Sequence, residues 1–538
     1  MALTPWITVF TLLLVLGSPF TACFAASAGE IVQQVTRAYG GMEKLQAIRT
    51  IEYELTGYRI SRHQSRRTEP PYDRVPVSSF YAVDFERNLG VADGIGNYPG
   101  GLIFPFRSIV GLDTEYSLDT GQKTYYEGMS MMGFGDLKSS ALRNLPPLLA
   151  RELNRSLDSV EYLGTRAYRG QEYIHLKMED TGILVHPVSH QIHALLTKRS
   201  DMATDGSMQV MRIFQDTVVH DGIPFPLAVY DYLPAENVFT TDFRLTYLQL
   251  NQDIENFMSI PEGFVQAGNP HMGYANDGEL RVRPLADGVF LAGDNNTNIL
   301  YVEFDDYYVA MEAGGMAWYA ESVYELMQPH MQGKPLRYIV PTHYHDDHAV
   351  GIRFYTRIGA TLLTTPEKAG YLRQLLEPID EGALLKKVRF EWISGDRHLF
   401  QDDTGTLEVL VYANSPHTEN MLVGVLPRIH ANFSADLFVG WGGTPEIRQG
   451  ASYGLRHFAQ WLKGALGDRY SQLQTWIPVH GRPYSTAEIQ TMLNQPSTII
   501  RLPGNRPVLA EDWFLAYGLN DETTSGRRDV LIQTAVSH

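Results

Sequence analysis

The segment Thr342-His343-Tyr344-His345-Asp346-Asp347-His348 holds three imidazoles and two carboxylates, just downstream of the apolar run Tyr338-Ile339-Val340. Imidazole nitrogen and carboxylate oxygen are the ligand set that suits zinc and its neighbours, and a loop that collects so many of them points to a metal. Four potential ligands at this spacing cannot all converge on one tetrahedral ion that keeps an open position, so two adjacent metals are expected. His343 and His345 alternate along an extended segment and can face one point if the backbone turns there. Asp347 and His348 fall where the next helix should begin and can address a second ion.

Three isolated residues downstream carry the same chemistry. His417 follows the strand-like run 407–412, Asp436 sits in Ser434-Ala435-Asp436-Leu437, and His480 sits in Pro478-Val479-His480-Gly481. The elements that must position them alternate from about residue 282 onward. Strands are expected at 288–292, 299–304, 307–311, 338–340, 360–363, 388–392 and 407–412. Helices are expected at 316–327, 349–357 and 366–376.

With these residues in place, the second half resembles the metallo-β-lactamase-fold hydrolase superfamily. The H-x-H-x-D-H signature matches over residues 343–348, and His417, Asp436 and His480 follow in the family's order. The resemblance covers about residues 282–490. It implies that His343, His345 and His417 hold one metal, that Asp347, His348 and His480 hold the other, and that Asp436 bridges both. Three positions depart from the family pattern. Glu312 stands where an Asp usually ends an early strand, Ala435 replaces a Gly, and Val479 replaces the Gly before the last His. The first departure puts the fine geometry in question, and none removes a ligand atom.

The chemistry expected of such a site is hydrolysis. Two divalent ions sharing a water or hydroxide lower its pKa from ~16 towards ~7 and polarise the substrate's oxygen. Asp347 would act beside the nucleophile as the catalytic carboxylate, passing a proton to the leaving group. Zinc is the expected metal, with iron and manganese as alternatives. The scissile bond stays open among ester, lactam, lactone, thioester, sulfate and phosphate. Two other classes are weighed against hydrolysis: an iron-dependent thiol or persulfide oxidoreductase of the same fold, and a non-catalytic periplasmic lipid- or ligand-binding protein.

The first half reads differently. A helical pattern at 29–48, interrupted by Gly40-Gly41, leads into strand-like runs at 50–60, 161–163, 172–178, 182–185, 191–197, 209–216 and 239–250. A helical insertion is expected at 139–157, and a turn-rich break at Asp221-Gly222-Ile223-Pro224. Ala38-Tyr39-Gly40-Gly41 and Gly222-Ile223-Pro224-Phe225-Pro226 resemble the half-barrel of periplasmic lipoprotein-carrier proteins. That resemblance implies a curved antiparallel sheet able to hold an acyl chain or hydrophobic peptide. His186, His190 and His193 read as a surface feature.

The expected architecture is therefore α+β: an antiparallel half-barrel sheet domain followed by a four-layer αββα sandwich. Its divisions are a signal peptide at 1–28, a β-rich domain at 29–268, a catalytic domain at 269–500 and a tail at 501–538. Two or more domains suit 538 residues. The net charge of −17 speaks against nucleic acid and anionic membrane surfaces, so a small-molecule or lipid-like substrate is the expected partner, with oligomeric state open. The first 28 residues carry no Lys, Arg, Asp or Glu, and an apolar core at 7–16 precedes Ala25-Ala26-Ser27-Ala28. Although basic residues before that core are missing, the pattern reads as a secretory signal, too short for a span of ~20 residues. Export to the periplasm or outside follows, with no spanning segment in the mature form. The sole cysteine, Cys23, lies in this segment, where Phe20-Thr21-Ala22-Cys23 weakly resembles a lipidation box.

Overall fold

Ile31, Val32 and Val35 share one buried face of the helix Ala28–Ala38, which opens with a reciprocal cap between Ser27 and Glu30. Gly40 and Gly41 then turn the chain at φ +92°, where L side chains are strained, and the short helix Met42–Gln46 follows. The computed structural model describes residues 27–60, 62–70, 72–98, 102–120, 123–128, 130–204, 206–266, 278–377, 382–439, 452–495, 499–502 and 506–509. Cys23, nearly all of the expected signal, and residues 510–538 of the expected tail lie outside the described residues.

The helix leads into the strand Thr50–Ile60, the middle of a 14-stranded sheet. This strand pairs antiparallel with Val238–Leu250 on one side and with Arg74–Asp84 on the other. One wing continues by hairpins through Leu89–Tyr98, Leu102–Val110, Glu115–Asp119 and Thr124–Glu127. The other runs back from Val238–Leu250 through Ile223–Leu233, Gly206–His220 and Ile192–Asp201 to Val160–Tyr168. Helices Ala28–Ala38, Phe134–Asn144 and Pro146–Arg155 bury Val32, Leu137, Leu148 and Leu153 together with Val83, Leu176, Ile183 and Val229 of the sheet. The expected helical insertion is thus two helices, divided at Leu145 because Pro146 and Pro147 start the second.

The whole wing at 74–127 and the strand Ile223–Leu233 were not expected. Pro76, Pro105, Gly90, Gly94 and Gly96 interrupt alternation in the first, and Pro224 and Pro226 do so in the second. Tertiary pairing overrides these weak local preferences.

Beyond residue 278 two further sheets face each other. One has seven strands, from Arg281–Ala286 to Phe390–Trp392, and the other has six, from Arg397–Gln401 to Tyr484–Ser485. Alternation along single strands shows the layering. In Asn298–Glu303, Leu300 and Val302 enter the core between the sheets with Leu407, Val409 and Phe433, whereas Ile299 and Tyr301 face the other way. That outer face is covered by helices Ala317–Met327, Ile352–Arg357 and Ala369–Leu376. Helices Tyr453–Leu466 and Thr486–Asn494 cover the six-stranded sheet with Leu455, Phe458, Leu462 and Ile489. The result is an αββα sandwich behind a sheet-rich domain, as expected. A hairpin of Ile499–Leu502 with Arg506–Leu509 straddles the expected boundary at residue 500 between the catalytic domain and the tail.

Among the described residues two N-terminal elements touch the sandwich. Met202 and Ala203, where Ile192–Asp201 turns into Gly206–His220, pack among its residues, and the buried Arg353 donates to both their carbonyls. The second is the connection between Ile60 and Arg74, described below. Among the described residues no helix is long and apolar enough to cross a membrane.

Candidate metal centre

Each of the seven residues lies at the C-terminal end of a strand of the sandwich. The loop after Leu336–Val340 brings His343 and His345 and then turns into the helical turn Asp346–Ala349, which carries Asp347 and His348. His417 follows Thr406–Tyr412, Asp436 follows Ala431–Ser434, and His480 follows Thr475–Pro478. Backbone bonds fix these loops to one another. Leu422 N donates to Thr342 O at 2.7 Å, and the Asn298 amide donates to Val479 O and Gly481 O on either side of His480.

The structure gathers all seven into two groups that share Asp436. One is His343, His345, His417 and Asp436, and the other is Asp347, His348, Asp436 and His480. In each, the ligand atoms lie within 4.8 Å of one another. Asp436 Oδ2 is 3.1 Å from His417 Nε2, 3.1 Å from His348 Nε2 and 3.7 Å from His343 Nε2, and Oδ1 is 3.0 Å from His480 Nε2. The carboxylate therefore faces both groups from a left-handed backbone position (φ +53°), which aspartate tolerates.

The residues fit a metal on their own geometry. Within each group a pair of nitrogens, His343 Nε2 with His417 Nε2 and His348 Nε2 with His480 Nε2, stands 3.3 Å apart. Two nitrogens at ~2.0–2.1 Å from one tetrahedral ion would stand about 3.3 Å from each other. Among the described residues buried His345 Nδ1 has no hydrogen-bond partner, which suits a nitrogen kept for a cation.

The electrostatics agree. Burial, with the neighbouring imidazoles second, holds His343 and His345 well below the usual histidine range, so both keep a lone pair. Burial also works against charge on His348 and Asp436. The carboxylates of Asp436, Asp347 and Glu312 outweigh it for His348, which is raised, and His348 and His480 outweigh it for Asp436, which is lowered. The Asp347 side chain is 38% exposed where Asp436 is 8%, so the centre opens on the Asp347 side.

Glu312, the departure from the expected Asp, does the positioning work. It ends the strand Tyr308–Met311 at φ +83° and is wholly buried. One oxygen accepts from Ala313 N and Gly314 N; the other accepts from Thr342 Oγ1 at 2.7 Å and faces His348 Nδ1 at 3.0 Å. The longer side chain folds back on its own backbone and still leaves His348 Nε2 for the centre.

Sequence reasoning missed Gln64 and Ser65, which reach the centre from the N-terminal domain. Gln64 Nε2 donates to Asp347 Oδ1 at 2.6 Å and to Asp346 Oδ1 at 2.7 Å, and Ser65 O faces His345 Nε2 at 2.8 Å. Their signal was length, since the connection between Ile60 and Arg74 far exceeds the two to five residues typical of a hairpin. Tyr344 is buried and packs against Tyr371 and Lys368. Of the histidines read as a surface feature, His193 is half-buried and stacks on Tyr173 at 4.5 Å, and His457, outside the cluster, contacts Tyr412.

Residues 294–461 match the family model described as "Metallo-beta-lactamase superfamily". Among solved structures, a metallo-beta-lactamase from Pontibacter korlensis is similar at 20% identity and a TM-score of 0.30, covering 40% of this chain and 100% of that one. The DIM-1 metallo-beta-lactamase is similar at 21% identity and a TM-score of 0.30, covering 40% and 95%. The inverting sec-alkylsulfatase Pisa1 from Pseudomonas sp. is similar at 15% identity and a TM-score of 0.31, covering 47% and 43%. No curated protein matches the chain. The family match, lying on two facing sheets with helices on both outer faces, makes the C-terminal half of this chain a metallo-β-lactamase fold whose His and Asp cluster fits a metal-dependent hydrolase.

Proposed function

We propose that the protein is an exported dinuclear metallo-hydrolase. The observation that carries this reading is the pair of four-residue groups sharing Asp436. His343, His345 and His417 would hold one divalent cation, Asp347, His348 and His480 the other, and Asp436 both. The chemistry such a pair supplies when bound is a water of lowered pKa and a polarised substrate oxygen. Zinc suits a donor set of imidazole and carboxylate, and iron and manganese share that preference in part.

The remaining work falls to the chain. Glu312 and Asn296 fix the distal nitrogens of His348 and His480. The sandwich core keeps water from the back of the centre, because His343, His345, His348 and His417 are all buried. Asp347, on the open side and held by Gln64, is placed to take a proton and to return it to a leaving group. Export is supported by the uncharged leader with its apolar core at 7–16.

The test is metal analysis of the purified protein, run with a chromogenic panel of ester, lactam, lactone, thioester, sulfate and phosphate substrates. Two divalent ions per chain and turnover of one substrate class are expected. One iron per chain with thiol or persulfide oxidation overturns the reading.

A further inference from the structure

Every imidazole whose distal nitrogen partner is described above is oriented by the sandwich itself, except one. His343 Nδ1 contacts Thr342 Oγ1, His348 Nδ1 contacts Glu312, and His480 Nδ1 contacts Asn296 O, so these three present Nε2 to the centre. His345 is reversed. Its Nε2 faces Ser65 O at 2.8 Å, and its partnerless Nδ1 is the nitrogen left for the first group. A backbone carbonyl has no proton to give, so Ser65 O dictates that His345 carries its proton on Nε2.

Ser65 belongs to the N-terminal domain, and it does not act alone. Three carbonyls of its segment accept from the two ligand loops: His63 O from Asp346 N at 3.3 Å, Ser65 O from His345, and Arg66 O from Glu419 N at 3.1 Å, two residues past His417. Gln64 donates to Asp347 between them. The segment is clasped from within its own domain by buried Asp73. That carboxylate accepts from Ser65 Oγ at 3.0 Å, Arg66 N at 2.6 Å and the Arg66 guanidinium, while Asp73 N donates back to Ser65 Oγ at 2.8 Å.

We propose that residues 63–66 are a working part of the metal centre. Ser65, through its carbonyl, positions His345 for the first metal, and Gln64 positions Asp347 for the second. The N-terminal domain thereby sets metal affinity instead of merely walling the site. The proposal rests on the dinuclear reading, and it makes Gln64 and Ser65 positioning residues rather than catalytic ones.

The test is Co(II) titration of the full-length chain against a competing chelator, followed by the visible spectrum of the bound cobalt. Gln64→Ala, which removes no core contact, should weaken the second binding step about 10- to 100-fold and leave the first unchanged. Asp73→Ala should weaken the first step by a similar factor and alter the cobalt spectrum, because His345 is no longer held with Nδ1 inward. Asp73→Asn, which keeps an acceptor for Ser65 Oγ and Arg66 N, should restore much of that loss. A wild-type chain that binds two ions, with Gln64→Ala and Asp73→Ala both titrating and absorbing like it, overturns the proposal and leaves the dinuclear reading standing. A wild-type chain that binds no Co(II) or Zn(II) overturns both.

Discussion

Glu312 Oε2 stands 3.0 Å from His348 Nδ1 while its other oxygen takes the amides of Ala313 and Gly314, so one carboxylate caps a strand end and orients His348 within the cluster. Exchange of Glu312 for Gln keeps the shape but can turn an N–H₂ towards His348 or Thr342. Glu312→Gln should lower metal affinity about 10- to 100-fold, read by chelator competition. The unfolding free energy should fall by about 1–3 kcal/mol, since Thr342 Oγ1 or His348 Nδ1 loses its acceptor in a wholly buried place.

Asp347 separates chemistry from stability. Its partial exposure means that Asp347→Ala leaves the fold intact, with little change in melting temperature. Turnover should drop by about 10²- to 10⁴-fold, the range of a positioned proton carrier. An unchanged kcat in that variant removes Asp347 from the mechanism.

Gly351 is fixed by close approach. A Cβ there would collide with Ala313 O, and Gly351 N donates to Gly314 O at 2.9 Å, so the turn after His348 presses directly on the segment that Glu312 organises. Gly351→Ala should cost about 2–4 kcal/mol and reduce metal content in the same preparation. Normal stability with full metal occupancy would contradict this packing argument.

His63 sets an acid limit. Burial, and after it the charge of Arg62, bring its imidazole down to about 4 against an unfolded value near 6.5, while Asp201 pulls the other way and Tyr371 OH bonds Nδ1 at 2.6 Å. The unfolded chain then binds the extra proton first, so stability is complete above pH 6.5 and falls as pH drops towards 4. The full loss is on the order of 3 kcal/mol, with about 2 kcal/mol of it between pH 7 and pH 5. Denaturant unfolding at those two pH values should show that difference in the wild-type chain and a smaller one in His63→Gln.

Much of the His and Asp cluster was legible because its residues sit in short motifs after apolar runs, in the order of the family that the second half resembles. His343, His345, Asp347 and His348 are local to one loop, and His417, Asp436 and His480 each follow a strand. Gln64 and Ser65 were not legible, since they lie some 280 residues from their partners and carry no ligand chemistry of their own. The strands of the wing at 74–127 were hidden for a related reason: their Gly and Pro content argues for turns, and only pairing with Thr50–Ile60 makes them a sheet.

The strand Thr50–Ile60 has a consequence for the order of folding. Ile51 pairs with Leu250 across nearly 200 residues, and the strand's exit leads straight into the segment that clasps His345 and Asp347. Closing so distant a pair is slow, because the loop entropy is spent before the contacts form. Residues 63–66 connect two neighbouring strands of that sheet, so their place beside the loops of the sandwich depends on a pairing made across most of the N-terminal half. A chain whose large sheet is incomplete would carry the His and Asp cluster of the sandwich without the clasp of residues 63–66.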